Sequence, residues 1–169
     1  LAHRCGSALV EAREALTAYD ATGARLWQKA FPAGQHLVAA AIAPDGGRVA
    51  VITARPELWL LSGDTGHPIA HRRVPDTTRS VALTDGGERL LTGDRLGGVR
   101  LLDRHLQGVG MLSLSHPAEL LGVAAGTDRV VAASLRGVAS VFRIDGDAVR
   151  KITVRSDIRR VWMEEDGER

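Results

Sequence analysis

An all-β fold of repeated four-stranded antiparallel units is predicted from three observations. The phrases PDGGRVAV (residues 44–51), DGGERLLT (85–92) and GTDRVVAA (126–133) recur at a step of 40 or 41 residues. The register of this repeat carries through the chain, with Arg48, Arg89 and Arg129 opening one strand and Leu60, Leu101 and Val141 at the middle of the next. Runs of strand length rich in Val, Leu, Ile and Ala alternate with Asp/Gly turn signals, as paired strands require. A period near 40 residues holding four strands is the signature of a β-propeller, in which no blade can bury its own faces without a neighbour.

Taken from the axis outward, strand a is expected at about residues 37–43, 79–84, 120–124 and 158–163. The first two end at Asp45-Gly46-Gly47 and Asp85-Gly86-Gly87, where glycine supplies the positive φ that such turns need. Ala39, Ala40 and Ala41 in one copy and Gly122, Val123 and Ala124 in another suit the crowding near a propeller axis. Strand b follows at 7–12, 48–54, 89–94 and 129–135, apolar on both faces as a covered strand should be. Strand c lies at 16–20, 58–62, 99–103 and 139–144, closed by hairpin signals such as Asp20-Ala21-Thr22-Gly23 and Gly63-Asp64-Thr65-Gly66. Strand d lies at 25–31, 68–74, 108–114 and 149–154, and Pro68 fits there because an outermost strand has an unpaired edge.

The 169 residues thus read as a single propeller domain or segment, with blade units at about 1–31, 37–74, 79–114 and 120–154 and a final inner strand at 158–163. Because the chain opens at strand b and closes at strand a, it is either an arc of a larger propeller or a closed four-bladed ring. The arc is favoured, since four blades is the lower limit of the usual range. Its open edges would then meet the remainder of its own propeller or another chain.

Composition sets bounds. The chain is 44% hydrophobic and 25% charged, a balance of folded proteins. Its longest apolar run, residues 37–43, is far shorter than the roughly 20 residues of a membrane helix, so no membrane span is expected. No leader pattern is recognisable and the start at Leu1 is expected to be a cut in a longer chain, which assigns no compartment. Cys5 is the sole cysteine, so neither an internal disulfide nor a cysteine zinc site can form. The net charge of +2 does not by itself imply nucleic acid, and with only 4% aromatics the basic turns have few rings on which bases could stack.

The stretch LLTGDRLGGVRLLD (90–103) resembles the strand b, turn, strand c segment of WD-repeat propellers, and AIAPDGGRVAV (41–51) resembles their strand a to b turn. The glycine-histidine pair of that family is absent, and its tryptophan-aspartate is reduced to Leu102-Asp103. In the first blade, Ala18-Tyr19-Asp20-Ala21-Thr22-Gly23 followed by Trp27 is similar to the docking motif of quinoprotein-like propellers, which implies that Trp27 packs between blades. No residues that would hold a quinone cofactor or a calcium ion are recognisable. The resemblance to WD-repeat propellers implies a scaffold for protein–protein interaction, in some bacterial cases a regulatory segment of a signalling protein.

Four arginines recur in the b–c turns, Arg13, Arg55, Arg95 and Arg136, at separations of 42, 40 and 41 residues. The blade repeat places these turns on one rim, joined by strand d to a connections carrying Arg79 and Arg155, with Arg159 and Arg160 beyond. The opposite rim collects Asp20, Asp45, Asp64, Asp85, Asp103, Asp128, Asp145, Asp147 and Asp166. An arginine ring can bind carboxylate or phosphate groups bidentately and speed the approach of an acidic partner. Arginine is also an ordinary soluble turn residue and aspartate a good turn former, so the polarity has a purely structural explanation as well.

The six histidines do not recur at one position of the repeat, and those in loops, His36 and His116 among them, are expected to be solvated rather than to bind metal. Ser113, Ser115 and His116 lack the strand-to-helix elbow or oxyanion turn of a nucleophilic site. No phosphate-cradling glycine loop opens a helix. The expectation is therefore a non-catalytic platform with no cofactor, presenting a basic rim to an acidic protein partner. The alternative is a ligand-binding sensor or enzyme propeller, its site completed by other parts of a longer chain.

Overall fold

The computed structural model describes residues 8–12, 14–124, 127–144, 148–153 and 156–161. Its strands follow the repeat: β1 (Ala8–Ala12), β2 (Ala15–Tyr19), β3 (Arg25–Ala30), β4 (Leu37–Ile42), β5 (Arg48–Thr53), β6 (Glu57–Ser62), β7 (Pro68–Arg73) and β8 (Thr78–Leu83). After a 3-10 turn at Asp85–Gly87 come β9 (Arg89–Asp94), β10 (Gly98–Asp103), β11 (Gly108–Ser113), β12 (Leu120–Val123), β13 (Arg129–Ala133), β14 (Val138–Arg143) and β15 (Ala148–Thr153). They form four antiparallel sheets, β1-β2-β3, β4-β5-β6-β7, β8-β9-β10-β11 and β12-β13-β14-β15, each ordered as in the chain. This is the β-propeller architecture, with β4, β8 and β12 innermost; β8 packs against both β4 and β12. Among the described residues no helix is long and apolar enough to cross a membrane.

The repeat extends to irregularities. Between the two outermost strands of every sheet the register slips at one place, at Ala18/Tyr19, Leu60/Leu61, Leu101/Leu102 and Val141/Phe142. Each slip leaves one extra residue on the outermost strand, Leu26, Ile69, Val109 or Val149. Such bulges bend the strand and raise its twist, which turns part of each outer edge away from straightforward pairing.

Three apolar seams hold the sheets face to face. Leu16, Ala18, Trp27 and Phe31 meet Val49, Val51 and Leu61 between the first and second sheets. Ile52, Leu58 and Leu60 meet Val81, Leu83, Leu90 and Leu102 between the second and third. Leu91 and Val99 meet Val130, Ala132 and Phe142 between the third and fourth. Leu60 is wholly buried, and truncation of such a side chain to alanine costs about 2–5 kcal/mol.

Polar bonds cross each seam as well. The Trp27 indole N–H donates to the Gly63 carbonyl at 2.7 Å, as the first blade's aromatic reaches the second. A Cβ on Gly66 would lie 2.7 Å from the same indole ring, and φ there is +69°, so both space and backbone demand glycine. Arg48 donates to the Gly87 carbonyl at 2.8 Å, and Ser80 Oγ to the Ala118 carbonyl at 2.6 Å.

The far face of the fourth sheet, with Val131, Ala133 and Ala139, is covered by Ile158 and Val161; among the described residues none of the first sheet joins this cluster. Residues 158–161 are not a strand, contrary to the expected inner strand at 158–163. The Ile158 N–H instead donates to the Leu135 carbonyl at 3.1 Å, just as the Ala118 N–H donates to the Asp94 carbonyl at 2.8 Å ahead of β12. The chain thus reaches the threshold of a further inner position after β12, where among the described residues no partner strand completes a ladder. Residues 162–163 lie outside the described residues.

Candidate functional site

The inner strands carry small or short side chains, so their backbones approach the axis without closing it. Val38, Ala39, Ala40, Ser80, Val81, Leu120 and Leu121 line a funnel of about 570 Å³. At its mouth stand Arg79, Arg95, Arg159 and Arg160, with Glu119, Leu135 and Val161. Four guanidiniums therefore face one carboxylate. Glu119 is engaged by its own rim, accepting the Leu135 N–H at 3.0 Å. Arg79 is half-buried and donates to the Asp76 and Thr78 carbonyls at 2.7 and 2.6 Å, which anchors its head where β8 begins. Arg95, Arg159 and Arg160 are exposed and make no ion pair among the described residues.

The b–c turns behind these arginines are built in two chemical ways to one shape. Asp94 is 6% exposed, and its Oδ1 accepts the N–H groups of Leu96 and Gly98, each at 2.8 Å. One blade later Ser134 takes that place and its Oγ accepts the Val138 N–H at 3.3 Å. Gly97 and Gly137, at φ +89° and +87°, complete the two turns. Leu96 and Leu135 are pushed outward at 80% and 46% exposure, so the rim offers apolar tips beside its cations. Sequence reading missed these leucines because it weighed charge alone.

The predicted site residues separate. Arg79 and Arg95 meet in the funnel, together with Arg159 and Arg160. Arg55 is exposed and lines a different hollow with Pro56, Glu57 and Arg73. Arg136 is exposed on the turn between β13 and β14. Arg13 and Arg155 lie outside the described residues.

The opposite rim is different in kind. Asp20 Oδ1 accepts from the Thr22 N–H, the Thr22 hydroxyl and the Ala24 N–H at 2.9, 2.6 and 3.0 Å. Asp45 accepts the Gly47 N–H at 3.0 Å, and Asp103 the His105 and Gln107 N–H groups at 2.8 Å each. Donation by the Gln107 amide holds the Asp103 carboxyl below its ordinary range, aided by the His105 amide and the nearby His105 and Arg104 charges. Asp128 pairs with Arg143 at 2.6 Å.

His116 corrects a sequence expectation. It is 7% exposed, with Nδ1 at 2.9 Å from the Pro117 carbonyl and Nε2 at 2.8 Å from Ser140 Oγ, and so ties the loop before β12 to β14. Its partner is 24 residues away and is brought close only by the sheet. Among the described residues no three His, Cys, Asp or Glu side chains are grouped to hold a metal ion.

No family model matches the chain, and no curated protein matches it in sequence. In structure it is similar to Kuenenia stuttgartiensis hydrazine synthase, with a TM-score of 0.77 at 16% identity over 99% of this chain and 52% of that one. The chain therefore spans about half the length of that solved chain. As many as 1475 solved chains share the arrangement, so the likeness establishes the fold and leaves function to the site.

Proposed function

We propose that this chain is part of a WD-repeat-like propeller that acts as a non-catalytic platform, its basic rim receiving an acidic segment of a protein partner. The observation that carries this reading is the convergence of Arg79, Arg95, Arg159 and Arg160 on one funnel whose lining carboxylate among the described residues, Glu119, is engaged by backbone. Guanidinium forks suit bidentate carboxylate recognition, and a concave array of one sign speeds encounter. Leu96 and Leu135 supply apolar contact beside the charges. Arg55 and Arg136 extend the same rim outward, and Arg13 and Arg155 belong to it by the repeat.

The test is titration with a labelled polyglutamate peptide at about 50 mM and about 300 mM salt, where screening lengths differ severalfold. Arg79→Ser combined with Arg95→Ser is expected to weaken binding about ten-fold or more and to flatten the salt dependence. Equal affinity in parent and double variant would remove the rim from the reading.

A second reading rests on the funnel's size, which falls within the roughly 300–1,000 Å³ of small-ligand sites. In that case the propeller is a sensor for a small dicarboxylate or phosphate ester, its site completed by other parts of a longer chain. Saturable thermal stabilisation by such a compound, lost in Arg79→Ser, would favour it over the platform.

A further inference from the structure

The four outermost strands are not alike. β3 carries Arg25 and Lys29, β7 carries Pro68, Arg72 and Arg73, and β15 carries Arg150 and Lys151. Charges and proline on an outer strand discourage pairing with a foreign strand. β11, GVGMLS, has neither. It ends its sheet, five of its six residues are exposed, and Val109 and Met111 are 57% and 63% exposed.

Its glycines have no structural explanation. Gly108 and Gly110 do not have positive φ, unlike the turn glycines. A Cβ on Gly108 would meet nothing within 4 Å, and one on Gly110 only the Leu101 side chain at 3.7 and 3.8 Å, ordinary contact distances. Glycine inside a strand weakens it and frequently marks a place where another backbone approaches closely. The bulge at Val109 twists the start of β11, but Gly110–Ser113 beyond it remain in regular register with β10.

Beside β11 runs a groove of about 440 Å³ between the second and third blades, floored by Val74, Leu102 and Met111 and edged by Arg72, Arg73 and Arg100. Among the described residues no carboxylate lines it. Arg72 donates to the Leu106 carbonyl across the seam, whereas Arg73 and Arg100 make no ion pair among the described residues.

We infer that the Gly110–Ser113 edge of β11 accepts an extended acidic peptide of a protein partner as an added strand, its carboxylates meeting Arg73 and Arg100 on the groove face and its apolar side chains, on the opposite face, seated over Leu101 and Leu112. Main-chain hydrogen bonds would supply affinity and the groove selectivity, as in strand-addition complexes. This surface is separate from the axial funnel and does not rest on the reading of the rim.

The probe is a fluorescein-labelled peptide of alternating valine and glutamate, titrated by anisotropy into the whole chain. Gly110→Val is the decisive variant, because a branched side chain there suits a strand and finds room, yet projects over Leu101, where the apolar side chains of the peptide would be seated. The expected result is an unchanged or raised thermal midpoint with binding weakened about ten-fold or more, a loss of at least 1.4 kcal/mol. Arg73→Ser with Arg100→Ser should weaken binding and reduce its salt dependence, while Arg95→Ser on the rim leaves it as in the parent. Full-strength binding to Gly110→Val, loss of binding in Arg95→Ser, or no saturation by about 1 mM peptide would each overturn the inference. So would a dimer of the chain that Gly110→Val dissociates, since a second copy would then own this edge.

Discussion

The two rims of the propeller use ionisable turn residues in opposite ways. On one, Asp20, Asp45 and Asp103 close their own loops by accepting backbone N–H groups, and Asp128 is paired with Arg143. On the other, Arg95, Arg159 and Arg160 have no such engagement among the described residues, and the carboxylates there, Asp94 and Glu119, again accept backbone N–H groups. Charge at a turn thus has two meanings, and hydrogen bonding separates them. A carboxylate that satisfies local donors is part of the fold, whereas a guanidinium free of partners is available to something else.

The sharpest way to break the comparison is to disturb a loop on the aspartate rim. A Cβ on Gly63 would sit 1.8 Å from the Gly46 carbonyl oxygen, so Gly63→Ala must push two turns apart. A loss of about 3 kcal/mol or more in chemical denaturation is expected. Asp94→Ala comes next, as it leaves the buried Gly98 N–H and the Leu96 N–H without an acceptor; a loss of about 2–3 kcal/mol should be seen in the same experiment. Asp20→Ala, at an exposed turn, should cost about 1 kcal/mol. Arg95→Ser should leave the denaturation midpoint within about 0.5 kcal/mol of the parent while changing salt-dependent binding. A stability loss there as large as that of Asp94→Ala would erase the distinction between the rims.

The smallest effect is the pH response of the Asp103 turn. Its folded pKa lies below the ordinary 3.8, so the contribution is present above that value and is lost as acid titrates the carboxyl through its lowered folded value. Faster amide exchange at His105 and Gln107 should therefore begin only in more acidic solution than a free aspartate would require, and Asp103→Asn should abolish that pH dependence.

Strand positions were readable within a residue or two because the same residues specify them in every copy: a b strand apolar on both faces, then a hairpin turn, then a c strand. The repeat also fixed which turns share a rim. It could not fix where a long side chain lies, so Arg55 was grouped with Arg95 although it lines a separate hollow with Arg73. His116 was taken as solvated because its contact with Ser140 depends on sheet geometry that no local spacing encodes. Residues 158–161 have strand-like composition but no neighbour to pair with among the described residues, and a strand is defined by its partner as much as by its sequence. The outer groove beside β11 was overlooked although Gly108 and Gly110 were in plain sight, since glycine in a repeat is easily assigned to a turn.

The polar bonds described across the seams each join a blade to its successor, over 34, 36, 38 or 39 residues of chain. Among the described residues, coupling therefore runs from each blade to the next, so a perturbation at one blade is passed along through its neighbours. Among the described sheets, amide protons of the second and third should be the last to exchange, because each has a packed neighbour on either side.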